Sequence, residues 1–259
     1  MVVPDRTRLT GQLIFFLSRI IMLLSEYVQS IRDKSIAVLG IGISNLPLIE
    51  LLCQEGCNVT ACDRRNLSQL GAAGERLQAL GAKLRLGEDY LENLQEELIF
   101  RTPGLMPFDE HLVKARAQGS IVTSEMEVFF SLCPCRIFAV TGSDGKTTTT
   151  TLISEILKAA GYRVHLGGNI GTPLLCKLPE MQDDDLVVLE LSSFQLHSMT
   201  CRPHTAVITN LSPNHLDKHN GFQDYIDAKA WIFLNQRRED RLILNANDPH
   251  TAYYASKAP

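Results

Sequence analysis

Apolar positions fall in short blocks that alternate between two periods. Ser35-Ile36-Ala37-Val38-Leu39 runs almost without a polar break and stops at Gly40, the pattern of a buried strand. Leu46–Gln54 has helical spacing and is closed by Gly56. Asn58–Cys62 predicts a second strand ending at Asp63, and Leu67–Leu80 a second helix closed by Gly81. The run Leu98–Phe100 meets the turn Thr102-Pro103-Gly104, then a helix over Asp109–Gln118 and a strand over Ser120–Thr123. Strands separated by helices predict a parallel sheet with right-handed crossovers.

Cys133-Pro134-Cys135 interrupts this alternation. Beyond it come a strand over Arg136–Val140, a glycine loop, and a helix from Lys146 to Ala160. Arg163–Leu166, Leu186–Leu191, Thr205–Asn210 and Arg241–Asn245 predict further strands. A helix over Phe222–Asn235 precedes the last strand, and a short polar tail follows it. The fold class is α/β: a Rossmann-like parallel-sheet domain over 35–134, then a P-loop α/β domain over 135–259. An extension and leading helix over 1–34 come first.

In that extension, Leu13–Leu24 is apolar, but Arg19 interrupts it and it is shorter than the roughly 18–20 residues that span a bilayer. Arg6 and Arg8 precede it as in a signal peptide, yet no small-x-small cleavage site follows. The reading favoured is a start at Met22, with no membrane insertion.

The chain has 259 residues, 45% apolar and 21% charged, which excludes disordered, collagen-like and coiled-coil classes. A net charge of −4 supplies no global field for nucleic acid. The seven cysteines are odd in number and show no paired C-x-x-C half-sites. They read as buried reduced thiols of a cytosolic protein.

Two glycine loops carry the candidate chemistry. Gly40-Ile41-Gly42-Ile43-Ser44-Asn45 follows a strand and opens a helix, where backbone N–H groups approach a pyrophosphate. Asp63 lies near the position of a ribose-binding acid, and Arg64 and Arg65 could hold a phosphate. Asn45 stands where a dinucleotide fingerprint has Gly or Ala, which weakens a nicotinamide reading. A tight turn without a ligand is the alternative.

The second loop, Thr141-Gly142-Ser143-Asp144-Gly145-Lys146-Thr147-Thr148, also joins a strand to a helix. P-loop chemistry needs backbone N–H groups around phosphates, a lysine on their oxygens and a hydroxyl for Mg²⁺. Lys146 and Thr147 fill the last two roles, although Val140 replaces the first glycine of the standard pattern. Glu190 ends an apolar strand, as a second Mg²⁺ anchor does. His215 lies in a loop past another strand, and Lys229 lies on a helix where a solvated lysine is the default. Only joint placement in one crevice would raise His215 and Lys229 above background.

TGSDGKTTT, GGNIGTP at 167–173, LELSSFQL at 189–196 and NLSPNHLDKH at 210–219 with Lys229 resemble successive blocks of the Mur ligase family. GIGISN, Asp63-Arg64-Arg65, TPGL at 102–105 and SEMEVF at 124–129 resemble the UDP-binding domain of that family. The segment ELSSFQ points to the branch that adds D-glutamate to UDP-N-acetylmuramoyl-L-alanine.

The resemblance implies ATP and two Mg²⁺ ions. Gly142, Ser143, Asp144, Gly145, Lys146, Thr147 and Thr148 would surround ATP. Thr147 and Glu190 would hold one ion, His215 and a carbamylated Lys229 the other. Asn169 and Ser193 would contact the muramoyl portion, and Gly42, Ser44, Asp63, Arg64 and Arg65 the UDP. Lys146, Glu190, His215 and Lys229 would carry the catalysis. It implies a cytoplasmic enzyme of peptidoglycan synthesis, monomeric when complete. The expected chemistry is an acyl phosphate made from the alanyl carboxylate and ATP, then displaced by the D-glutamate amine. On this reading the chain stops inside the ATPase domain, lacks a third domain and is inactive alone. The competing readings are a nicotinamide-dependent dehydrogenase and a non-catalytic nucleotide-binding module.

Overall fold

Two five-stranded parallel sheets, each wrapped by helices, carry the chain. The structure, a computed structural model, describes residues 24–197 and 199–256. The start at Met22 and the apolar run before Leu24 lie outside the described residues.

Helix α1 (24–31) leads into the first sheet. Its strands are β1 (Ser35–Leu39), β2 (Asn58–Asp63), β3 (Lys83–Leu86), β4 (Leu98–Phe100) and β5 (Ile121–Thr123), in the order β3-β2-β1-β4-β5. All four pairings are parallel. The strand order reverses between β1 and β4, and the carboxyl ends there open a crevice of the kind that receives ligands in such sheets. The period of two sorts β1 cleanly. Ile36 and Val38 face the large core, while Ala37 and Leu39 face a smaller cluster with Leu112 and Ala115.

Helices α2 (Leu46–Gln54), α3 (Leu67–Leu70), α4 (Ala72–Ala79), α5 (Glu110–Ala117) and α6 (Glu125–Leu132) cover this sheet. The single helix expected over Leu67–Leu80 is two. Asn66 and Gln69 close a capping box on the first turn, and Gly71 then takes φ 54° and ψ −136°, which breaks the ladder. Strand β3 was not expected, because four residues at a sheet edge carry too short an alternation to read. Helix α6 was not expected either, although Ser124 caps it by accepting from the Glu127 N–H.

The second sheet has the order β10-β9-β6-β8-β7, again all parallel. Its strands are β6 (Arg136–Thr141), β7 (Val164–Gly168), β8 (Leu186–Glu190), β9 (Thr205–Ile208) and β10 (Arg241–Leu244). Helices α7 (Lys146–Ala159), α8 (Ser193–Leu196), α9 (Phe222–Ala230) and α10 (Pro249–Ala255), with a 3₁₀ segment at Leu175–Glu180, complete it. The helix expected to Asn235 stops at Ala230. The chain continues in i→i+3 turns, with the Ile232 N–H donating to Lys229 O and the Phe233 N–H to Ala230 O. The expected polar tail is helix α10, capped by Asp248 and started by Pro249.

All seven cysteines are free thiols, but only Cys62, Cys135 and Cys201 are buried; the other four are half-buried. One apolar cluster runs through both units, from Ile36 and Phe100 to Ile137 and Leu189. Glu125 is buried in the joint between them. Its Oε1 accepts from the Leu175 N–H at 2.9 Å, at the start of the 3₁₀ segment of the other unit. Burial pushes this carboxyl up to about 7, against the smaller opposite pull of the Leu175 and Leu174 amides.

A carboxyl raised above its unfolded value of 4.5 contributes fully to stability at low pH and loses that contribution as pH rises toward 7. Glu125→Gln keeps an accepting oxygen without the charge. Thermal melts from pH 4.5 to pH 8 should show the variant gaining on the parent as pH rises, by on the order of 2–3 kcal/mol at the top. A constant difference across that range would contradict the assignment.

Candidate active site

The loop after β6 sits between the carboxyl ends of β8 and β9. Val140 is not part of that loop. It is fully buried in β6, paired with Glu190 on one side and Val207 on the other, so the strand runs on to Thr141 and the turn begins at Gly142. The Thr141 hydroxyl donates to Leu191 O at 2.7 Å. The Ser143 N–H donates to Asn210 O, and the Asp144 N–H to the Asn210 side chain at 3.0 Å. Thr209 and Asn210 side chains donate back to Asp144 O. Gly142 has φ 149° and lies against Thr209, where a Cβ would overlap the hydroxyl, so the loop requires glycine there. Ser143 Oγ accepts from the Ser212 N–H at 2.8 Å and lies 3.0 Å from the Tyr225 hydroxyl.

This loop delivers the chain into α7 with no side chain capping the helix start. The first amides of a helix and its dipole make that start a place for anionic oxygens. Lys146 bends over the loop and donates to Ser143 O at 2.8 Å. Thr147 and Thr148 stand exposed in the first turn, and Asp144 is exposed in the loop.

Glu190 ends β8 and is 2% exposed. One carboxylate oxygen accepts from the Thr147 hydroxyl at 2.6 Å, and the other from the Asn169 amide at 2.9 Å. The Asn169 backbone N–H donates to Glu190 O at 2.7 Å. A hydroxyl and a carboxylate, both hard oxygen donors, meet beside the anion-binding helix start, which fits the needs of Mg²⁺.

Lys229 is not a solvated lysine. It is 2% exposed, and its Nζ donates to Gly142 O at 2.9 Å from above the Tyr225 ring. Burial, with a smaller contribution from Lys146, pushes its amine down to about 7; Glu190 pulls the other way. The structure thus brings Lys146, Thr147, Asn169, Glu190 and Lys229 together. His215 lies on the loop beyond β9. It is exposed at φ 52°, with its ring 5.2 Å from Phe194, and among the described residues no hydrogen bond ties it to Glu190 or Lys229.

Ser193 opens α8, and its hydroxyl shares a 2.9 Å hydrogen bond with His219 Nε2. His219 is held by Asp224 at 3.0 Å, and Asp224 also holds His197 at 2.9 Å. The sequence reading passed over His219, Asp224 and Tyr225. The spacing His219…Asp224 across the start of α9 was the available signal.

At the first sheet, Asp63 ends β2 and accepts from the Ile41 N–H at 2.7 Å and from the Arg65 backbone and guanidinium. Arg65 also donates to Ile41 O at 2.6 Å. Arg64 points elsewhere, paired with Glu88 on the surface at 2.7 Å. Gly42 is exposed and Ser44 half-buried at the loop mouth. Asn45 is buried and its amide donates to Leu39 O at 2.9 Å, which ties the loop to the end of β1. That role accounts for an amide where a dinucleotide fingerprint has a small residue.

Residues 140–259 match the Mur ligase middle domain. The chain is 52% identical over 236 residues to the UDP-N-acetylmuramoylalanine–D-glutamate ligase of Acetivibrio thermocellus, covering 91% of this chain and 51% of that protein. It is 49% identical over 228 residues to the ligase of the same name from Clostridium novyi, covering 88% and 50%. The chain therefore spans about half the length of the curated relatives it matches. Among solved structures it resembles the UDP-N-acetylmuramate:L-alanyl-γ-D-glutamyl-meso-diaminopimelate ligase of Neisseria meningitides, with a TM-score of 0.56 at 20% identity, over 87% of this chain and 75% of the other. A murein peptide ligase of Psychrobacter arcticus aligns with a TM-score of 0.50 at 21% identity, over 86% and 51%. The chain thus carries a match to the Mur ligase middle domain over 140–259 and resembles ligases of that family along most of its length.

Proposed function

We propose that this chain forms the nucleotide-sugar-binding and ATP-binding parts of a ligase that joins D-glutamate to UDP-N-acetylmuramoyl-L-alanine. The observation that carries the reading is the Glu190–Thr147–Asn169 knot at the mouth of an uncapped helix start that bears Lys146. The unit over 35–134 takes the UDP end at the Asp63–Arg65 turn, with Gly42 and Ser44 beside it. The unit over 135–259 takes ATP. The relatives' name supplies the substrates.

Joining a carboxylate to an amine needs a leaving group on the acyl carbon. The alanyl carboxylate attacks the γ-phosphorus of ATP, ADP departs, and the amine of D-glutamate then displaces phosphate from the acyl phosphate. The first step brings two anions together. Lys146 and the first α7 amides offset charge on the phosphates. Thr147 and Glu190 would hold Mg²⁺, which neutralises phosphate charge when bound. Asn169 keeps Glu190 oriented toward Thr147.

The second ion would be held by His215 and a modified Lys229. A buried amine whose pKa is lowered to about 7 has a substantial neutral fraction at that pH, and the neutral form is a nucleophile for CO₂. The nitrogen lone pair forms a C–N bond, one N–H proton leaves to solvent, and the product is a carbamate anion. That change turns a hydrogen-bond donor under the loop into a pair of oxygens suited to a divalent cation.

Lys146→Ala should lower ATP-dependent phosphate release by 10²-fold or more in a complete enzyme that includes this chain, because it removes the cation placed to meet the phosphates. Calorimetric titration should show UDP-N-acetylmuramoyl-L-alanine binding more tightly than NAD or NADP. Tighter nicotinamide binding would instead establish the dehydrogenase reading.

For Lys229, a ¹³C signal in the carbamate region should appear on adding ¹³C-bicarbonate and be absent in Lys229→Ala. Short carboxylic acids should partly restore that variant's activity. An unchanged spectrum in the parent protein at pH 8 would rule the carbamate out.

A further inference from the structure

Arg101 is one of the few arginines that the fold takes out of water. It follows β4 at the crevice of the first sheet, is 3% exposed, and its backbone N–H donates to Thr123 O at 2.8 Å. Its guanidinium crosses the joint into the second unit. One terminal nitrogen donates to Leu105 O and to Phe194 O, each at 3.2 Å. The other donates to His197 O at 3.1 Å and reaches Gln195 O at 3.5 Å. These acceptors are neutral carbonyls, and the nearest acidic influence is Glu127.

Three of those carbonyls, on Phe194, Gln195 and His197, belong to the end of α8. Ser193 O takes the His197 N–H at 2.9 Å, and Leu196 O takes the Met199 N–H at 2.8 Å. The carbonyls of Phe194, Gln195 and His197 turn to Arg101. A helix of four residues is too short to hold itself together. Its first turn is closed by the Ser192–Gln195 capping box, and its other end by a cation placed where the helix dipole is negative. Leu105 shares the same guanidinium, so the turn over 102–105 and the helix bearing Ser193 are fixed to one rigid, planar group.

We propose that Arg101 is a positioning residue for the nucleotide-sugar: it clamps the 102–105 turn of the first unit to α8 of the second and so sets Ser193 against the substrate. The inference rests on the ligase reading for its substrate and on Arg101 alone for its mechanics. A lysine in its place keeps the charge but gathers its three donors on one nitrogen, which lacks the fork's spread across carbonyls on both elements.

The test uses Arg101→Met and Arg101→Lys in a complete enzyme that includes this chain. Without ligand, amide exchange at His197 and Met199 should accelerate at least tenfold in Arg101→Met and less in Arg101→Lys, while amides in α7 stay within twofold. In kinetics, KM for UDP-N-acetylmuramoyl-L-alanine should rise tenfold or more in Arg101→Met, with KM for ATP within twofold; Arg101→Lys should fall between. A lower melting temperature with both KM values unchanged would mean a merely structural arginine and would overturn the proposal. Unchanged exchange at His197 and Met199 would overturn it too. If Arg101→Met fails to fold, Arg101→Lys carries both comparisons. A complete parent enzyme without ligation activity would sink the ligase reading, while the exchange data would still decide whether Arg101 clamps α8.

Discussion

The hydrogen bonds on Glu190 organise the second unit. A carboxylate at the end of a fully buried strand must have both oxygens satisfied, or burial costs more than the strand returns. Thr147 and Asn169 satisfy one oxygen each. They come from opposite sides: Thr147 from the first turn of α7, Asn169 from the turn beyond β7. The sheet order explains how they can meet. β8 lies between β6 and β7, so the loops leaving both neighbours pass over its carboxyl end. Glu190 therefore fixes where α7 starts relative to the 167–173 turn.

The same crowding governs the positive charges. Lys146 and Lys229 both donate to carbonyls of the glycine loop, at Ser143 and Gly142. Two ammonium groups this close raise each other's cost, and Lys229 is the one that yields because it is the one without water. The Tyr225 ring beneath it and the Gly142 carbonyl above it partly replace the lost hydration. Tyr225 also reaches Ser143, so one side chain supports the loop and shelters the lysine.

What was legible in the sequence follows the range of the forces involved. The glycine loop could be read because Gly142, Lys146 and Thr147 act through a strand–turn–helix only a few residues long. The parallel sheets could be read because central strands such as β1, β8 and β9 are apolar nearly throughout. Lys229 could not be read as buried, because α9 by itself looks amphipathic and the partner that covers its lysine, Gly142, lies 87 residues away. Gly71 could not be read as a break, because a glycine within a helical pattern is often tolerated. Arg101 was invisible for a similar reason. Its carbonyl partners at 194–197 are some 93–96 residues distant, and nothing in R-T-P-G-L announces them.

The joint between the units uses the backbone in both directions. Arg101 offers a cation to the carbonyl end of α8, and Glu125 offers a carboxyl to the amide end of the 3₁₀ segment. The cation meets carbonyl oxygens and the carboxyl oxygen meets an amide, so each group complements the backbone dipole it faces. Both residues come from the first unit, and both act on elements flanking the proposed substrate path, α8 with Ser193 and the segment that follows Asn169. An apolar joint would hold the units together but would let them slide, since apolar contact has no direction. Hydrogen bonds from a planar guanidinium and a buried carboxyl have direction, and so fix the relative orientation of the two sheets. A nucleotide-sugar anchored at Asp63 and reacting beside Glu190 would need that orientation, because its length cannot adjust to a shifting gap.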